Sequence, residues 1–395
     1  MKINRAKYKD LERSPEFNLK KEFKEDFFGS SPAPFIGRFG YPDINVGILG
    51  TQFSERTGIY DAPKEWSSRN FSINRIAGMR YELVNSRQKA NIFSRKGKLI
   101  DAVQEIGMAS KPVELEVNLE NRPKLELKQE SEIVPFGPAG KLKKIRITEN
   151  TRVDNRVDRV VSDSDLKAVA GVWELYKKGF DENFLTKLIS VGNLGVGKNR
   201  KFVPTRWSIT AIDDTLGKQL IEEVKKFPVG DYAVHFGGHL GNYYLVLMFP
   251  EIWSYELFEN YLDYKVNPWS KGGNFYSTDY EGFNGRKSYA EECAGGYYSV
   301  RLSCAEKLKE LKRQAGLLVL RFITHDYNIP LGVWVTREAS RKALVEKPIT
   351  FSSKELMLKY AAELIKRKFN FELETLLKES QLLKNMKEQK KLSDF

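Results

Sequence analysis

The chain holds two cysteines, Cys293 and Cys304, and three histidines, His235, His239 and His325, among 395 residues. So few thiols exclude a disulfide framework, and the two cysteines lack the CxxC spacing of a zinc knuckle. No stretch reaches the roughly eighteen apolar residues of a membrane-spanning helix. The longest candidate, YYLVLMF at 243–249, has the length of a strand. The opening MKINRAKYKDLERSPEF carries no apolar signal-peptide core. These absences predict a cytoplasmic protein in a reducing compartment, with no membrane partner.

Positive charge is present in excess. Lys and Arg number 65 against 52 Asp and Glu, a formal net charge of +13. A polyanion is therefore the expected partner, and DNA fits. The length exceeds one ordinary core and predicts two or three domains. The pattern of elements predicts an α+β fold with mixed or antiparallel sheets, two regions and a helical C-terminal tail.

Along the chain, EFKEDFF suggests a short helix and SSPAPFIGRFGYPDINVGILG a loop leading into a strand. Helical spacing runs through IAGMRYELVNSRQKANIF and GKLIDAVQEIGM. PVELEVNLENRPKLELK alternates like a half-buried hairpin. Helix is expected over 164–191, with Ser164 or Asp163 as its cap. KFVPTRWSITAIDDT and LGVWVT read as strands, and YAVHFGGHLGNYYLVLMFP as two strands joined by a glycine turn. Residues 267–298 read as a long irregular segment. From Ser353 onward the spacing is helical, with a break at KFNFE.

Several clusters suggest chemistry. GNLGVGKN satisfies G-x-x-x-x-G-K, but Asn199 replaces the magnesium-binding hydroxyl and the loop follows a helical stretch, so an ATPase is rejected. Its Lys198, Arg200, Lys201 and Arg206 remain suited to nucleic-acid phosphates, with a solvated basic loop as the alternative. His235 and His239 have i,i+4 spacing, but HFGGH lies in a hairpin and no acidic motif completes a metal site. No metal and no cofactor is assigned. Asp154, Asp158, Asp163, Asp165, Asp213 and Asp214 would permit a metal-dependent nuclease; alternatively they pair with Arg152, Arg156 and Arg159 or cap helices. Arg38, Tyr41, Arg286, Tyr289, Tyr297, Tyr298 and Arg301 combine charge with rings that stack on bases, or else pack a domain seam.

The C-terminal EQKKLSDF matches Q-x-x-[LIM]-x-x-[FY] through Gln389, Leu392 and Phe395. This resembles the peptide with which replication and repair proteins bind the PCNA sliding clamp. Leu392 and Phe395 share one face of a tight turn. A second adjacent aromatic, usual in such peptides, is missing. Together with FIGRFGYPDINVGILG, SRNFSINRI, RWSITAIDDTLGK and YEGFNGRKSYAEECAGGYY, the tail makes the whole chain resemble the archaeal DNA repair family Nre, in its form without an N-terminal zinc finger, NreA. The resemblance implies a repair factor that works with the clamp, in a larger N-terminal region (1–280), a smaller C-terminal region (281–380) and a flexible tail (381–395). It names no catalytic residue. A nuclease or another nucleotide-acting repair enzyme is the alternative.

Overall fold

The computed structural model describes residues 22–124, 135–262 and 276–388. They form an α+β protein with two mixed sheets of six strands each. The described residues divide into two units. An N-terminal unit runs to Leu216 and includes Ile329–Val333, and a C-terminal unit comprises Gly217–Asn328 and the chain from Trp334 onward.

The N-terminal sheet contains β1 (Asp26–Ser31), β2 (Ala33–Ile36), β3 (Asp43–Gly50), β4 (Val84–Asn91), β5 (Val113–Leu119) and β6 (Ala139–Ile147), in the order β1-β5-β6-β4-β3-β2. All neighbours are antiparallel except β4 and β6. Its core joins Ile44, Val46 and Ile48 of β3 and Leu115 and Val117 of β5 to Val103 and Ile106 of the helix Lys98–Met108. Alternate strand residues therefore point inward, as a half-buried sheet requires.

The C-terminal sheet contains β7 (Tyr232–His239), β8 (Asn242–Phe249), β9 (Ser254–Tyr261), β10 (Tyr276–Glu281), β11 (Gly316–Ile323) and β12 (Ile349–Phe351), in the order β10-β9-β11-β8-β7-β12. Here β9 and β11 are the parallel pair. The β7–β8 hairpin closes on Leu240 and Gly241, both at positive φ (51° and 71°). That conformation matches the twist of the strands and suits glycine at the second position.

Several expectations are corrected. EFKEDFF enters β1, because Phe27 points into the core while the strand pairs with β5. VNSRQKAN is β4, where pairing with strands on both sides overrides helical composition. RWSITAIDDT belongs to the helix Thr205–Val224. There Ser208, Ile212, Leu216, Leu220 and Val224 are buried at every fourth position, a helical stripe that the β-branched residues obscured. The WVT of LGVWVT opens the helix Trp334–Val345. The stretch 164–191 splits into Ala168–Lys177 and Glu182–Ser190 around Gly179 at φ 91°, and an additional helix, Asn155–Ser162, occupies the expected polar connection. β5 pairs with β1 and β6; part of its expected hairpin partner lies outside the described residues.

Candidate nucleic-acid interface

At one edge of the N-terminal unit, four chain segments are tied together by hydrogen bonds. The β2–β3 turn meets the segment after β4 where Ile92 N–H donates to the Pro42 carbonyl (3.0 Å). Phe202 N–H donates to the Ile92 carbonyl (2.9 Å), which fixes the loop before the helix Thr205–Val224. The Thr205 hydroxyl accepts from Ile36 N–H (3.0 Å), so the helix start is held at the end of β2.

Aromatic rings project from this scaffold into solvent. Phe39, Tyr41, Phe93 and Trp207 are 65%, 45%, 51% and 46% exposed, far more than rings in a satisfied core. Tyr41 and Trp207 lie 5.4 Å apart between centroids. The Arg38 guanidinium lies 4.6 Å from the Phe39 ring centre, and the Lys201 ammonium 5.4 Å from that of Phe93. Cations over rings leave the outer faces of the aromatics available for stacking.

The glycine loop is shaped by its own arginines. Arg200 donates through Nε to the Gly195 carbonyl and through Nη2 to the Asp163 carbonyl, both at 2.7 Å. Arg95 donates to the Gly197 carbonyl (2.9 Å). Arg200 is thus a staple as well as a cation. Lys198 stands exposed in the 3-10 turn Gly197–Asn199 and forms no ion pair with a described residue. Arg206 is partly exposed in the first helical turn, beside Trp207. The structure therefore brings Arg38, Tyr41, Lys201 and Arg206 to connected segments of one unit.

Arg286 and Arg301 belong to the C-terminal unit. Arg301 is 2% exposed and its Nη1 donates to Glu281 at 2.8 Å, while Trp253 Nε1 donates to the same carboxylate at 3.3 Å. Arg286 pairs with Asp279 at 2.9 Å and donates to the Tyr280 and Tyr289 carbonyls. Burial raises the Asp279 carboxyl above its ordinary range, against the lowering effect of the Cys293 N–H and Arg286. Tyr297 and Tyr298 are buried and pack edge to face at 5.4 Å. This cluster is interior, and Tyr289 is its exposed ring.

Of the acidic candidates, Asp154 and Asp163 take local roles. Asp154 caps the helix Asn155–Ser162 and pairs with Arg156, whose hydrogen bonds lower its carboxyl to about 2. Asp163 accepts from the N–H groups of Asp165 and Leu166. Asp213 is buried within the helix Thr205–Val224 rather than at its end. Among the described residues, no three His, Cys, Asp or Glu side chains form a metal-holding group. His235 Nδ1–H donates to the Glu346 carbonyl (2.9 Å), and His239 Nδ1 accepts from the Lys342 ammonium (3.2 Å).

Gln389, Leu392 and Phe395 lie outside the described residues. The helix Gln381–Glu388 that precedes them is anchored on the C-terminal sheet. The Glu256 carboxylate of β9 accepts from Gln381 N–H (2.9 Å), Leu382 N–H (3.0 Å) and the Ser380 hydroxyl (2.5 Å). Such an acceptor satisfies the free donors of a helix start. Burial nevertheless raises the Glu256 pKa.

Comparison with known sequences gives the relationship. Residues 6–269 match the family model described as Archaeal Nre, N-terminal, and residues 281–395 match Archaeal Nre, C-terminal. The chain belongs to the archaeal Nre family. It is 37% identical over 349 residues to DNA repair protein NreB of Archaeoglobus fulgidus, covering 88% of this chain and 87% of that protein. It is 34% identical over 323 residues to DNA repair protein NreA of Haloferax volcanii (80% and 77% covered) and 33% identical over 361 residues to DNA repair protein NreA of Archaeoglobus fulgidus (89% of each). No solved structure matches the chain. Among the described residues, no helix of this Nre protein is long and apolar enough to cross a membrane.

The exposed rings Trp207, Phe39 and Phe93, unlike Tyr41, were not singled out by sequence reasoning. A signal existed for Trp207: a ring beside Arg206 just after Pro204, where a helix starts and outward-facing residues carry no packing duty.

Proposed function

We propose that this Nre protein is a DNA repair factor that holds single-stranded or distorted DNA on the face formed by Arg38, Phe39, Tyr41, Phe93, Lys198, Lys201, Arg206 and Trp207. The PCNA sliding clamp recruits it through Gln389, Leu392 and Phe395. The observation that carries the DNA-binding part is the group of four half-exposed aromatic rings interleaved with cations. Unstacked bases offer π-faces to such rings, and their phosphates meet the lysines and arginines. The repair context is supported by the names of the relatives, all DNA repair proteins.

Recruitment rests on the terminal peptide, which follows directly on an anchored helix. A peptide that follows a fixed helix in the chain stays close to the body, so clamp binding raises the concentration of the DNA-binding face at DNA. Deletion of Gln389–Phe395 is expected to abolish binding to the clamp ring in calorimetry and to leave the thermal unfolding of the chain unchanged. Undiminished binding after deletion overturns recruitment through this peptide.

A further inference from the structure

The parallel pairing of the N-terminal sheet is brief. β4 and β6 are in register at Asn85–Ala139, Ser86–Gly140 and Arg87–Lys141. Beyond that point β4 follows β3 as far as Asn91 and β6 follows β5 as far as Ile147. A register shift opposite Asn118 and Leu119 leaves Lys143 without a Cα partner on β5, a bulge that redirects the strand. The two strands part at their carboxyl ends, the end at which sheets with parallel strands take up ligands.

A cavity of about 350 Å³ opens between them. Buried Leu99, Ile100, Leu142 and Ile145 contribute its apolar lining. Five lysines surround it, Lys89, Lys96, Lys98, Lys143 and Lys144, and no acidic side chain lines it. None of the five forms an ion pair with a described residue; the Lys89 ammonium donates to the Asp43 carbonyl (3.1 Å). Cations gathered without counter-charge repel one another, and an anion relieves that repulsion. The cavity also receives the start of the helix Lys98–Met108, which follows Gly97 at φ 127° and has no side-chain cap. Uncapped N–H groups and the helix dipole favour the same charge as the lysines.

We propose that this cavity is a phosphate-recognition site for a nucleotide-sized phosphomonoester. The phosphate meets the lysines and the first helical turn, and the sugar or base rests on the apolar lining. The volume lies within the range of small-molecule sites. A free nucleotide and the 5′-phosphorylated end of a strand share this chemistry. The assignment is independent of the aromatic face, which reads rings and backbone rather than a terminal phosphate.

The test uses the full chain with deoxyadenosine 5′-monophosphate, deoxyadenosine, and one short single strand with and without a 5′-phosphate. The phosphorylated member of each pair is expected to bind roughly tenfold tighter, as for hydrogen bonds to a charged group. It should also shield Lys96, Lys98, Lys143 and Lys144 from acetylation. Lys143→Ala with Lys144→Ala should remove the preference without lowering the unfolding temperature, since both side chains are exposed. Lys111→Ala with Lys167→Ala, exposed in the same unit, should not. A phosphate preference confined to the strand, and surviving Trp207→Ala, assigns the ligand as a DNA end; a preference shared by the mononucleotide assigns a free nucleotide. Equal binding within each pair, or equal losses from the two double variants, overturns the proposal.

Discussion

Both sheets contain one parallel pair, and the two pairs end differently. In the N-terminal sheet β4 and β6 keep register for three residue pairs and then separate beside a lysine-lined cavity. In the C-terminal sheet β9 and β11 stay in register for eight, from Ser254–Gly316 to Tyr261–Ile323. Every residue of β11 is buried, and its Arg321 is held by Glu259 on β9 and Asn242 on β8. A cation in a closed ladder must be matched by an acid and an amide inside the sheet. One at an opened ladder stays solvated and available. Whether a basic residue beside a parallel pair serves packing or is presented to solvent thus depends on whether strand register and a facing acid enclose it, as they do for Arg321 and do not for Lys143 and Lys144.

The contrast breaks most sharply at Arg301. Its guanidinium is buried against Glu281, and both Tyr297 and Tyr298 place their rings within 5.7 Å and 5.3 Å of it. Arg301→Ala leaves the Glu281 charge uncompensated in the interior, and stability should drop by about 3–5 kcal/mol. Urea unfolding measures this. A loss within about 0.5 kcal/mol, the level of an ordinary surface substitution, would mean that Arg301 is not a structural group.

Trp207 gives the opposite profile. Trp207→Ala should weaken binding of single-stranded DNA by roughly 1–3 kcal/mol, the value of one stacked base. Stability should change by about 1 kcal/mol or less, since the half-exposed ring loses mainly its contact with Tyr41. Titration of a fluorescent oligonucleotide, paired with thermal unfolding, separates the two quantities. Lys198→Ala is the milder version: affinity should fall uniformly across sequences, and the slope of log affinity against log salt should drop by about one. A sequence-dependent loss at Lys198 would replace phosphate contact with base recognition.

The readable parts of the fold were those whose signal is local. HFGGHLGN announces a turn, which closes on Leu240 and Gly241 with the glycine at the second positive-φ position, and KFNFE announces a helix end, realised with Asn370 in the left-handed region. Thr205–Val224 and β4 were misread because β-branched and polar composition was weighed above position; the four-residue burial stripe and the two strand partners decide them. The roles of the arginines were not legible. Nothing near Arg301 in sequence indicates that Glu281, twenty residues earlier, will meet it across the fold. The lysine cavity was hidden for the same reason, since KGK at 96–98 and KK at 143–144 converge only because a bulged strand separates from its neighbour.

The smallest expected effect concerns the two β7 histidines, and it also discriminates the units. Burial lowers the pKa of His235, opposed by its hydrogen bond to the Glu346 carbonyl, with Lys307 lowering it further and Glu310 raising it. Burial and then the Lys342 charge lower His239 to about 4. The unfolded chain therefore binds protons more readily than the folded one below the ordinary histidine value of about 6.5. Their contribution is fully present above that pH and is lost as pH falls through the window toward 4. His239 is partly exposed, so solvent screening keeps its share modest. Denaturation midpoints at pH 7 and pH 5 should differ less in His239→Gln than in the parent chain, whereas Trp207→Ala should leave that difference intact. An identical pH response in His239→Gln and the parent would show that burial and the Lys342 charge do not hold His239 neutral.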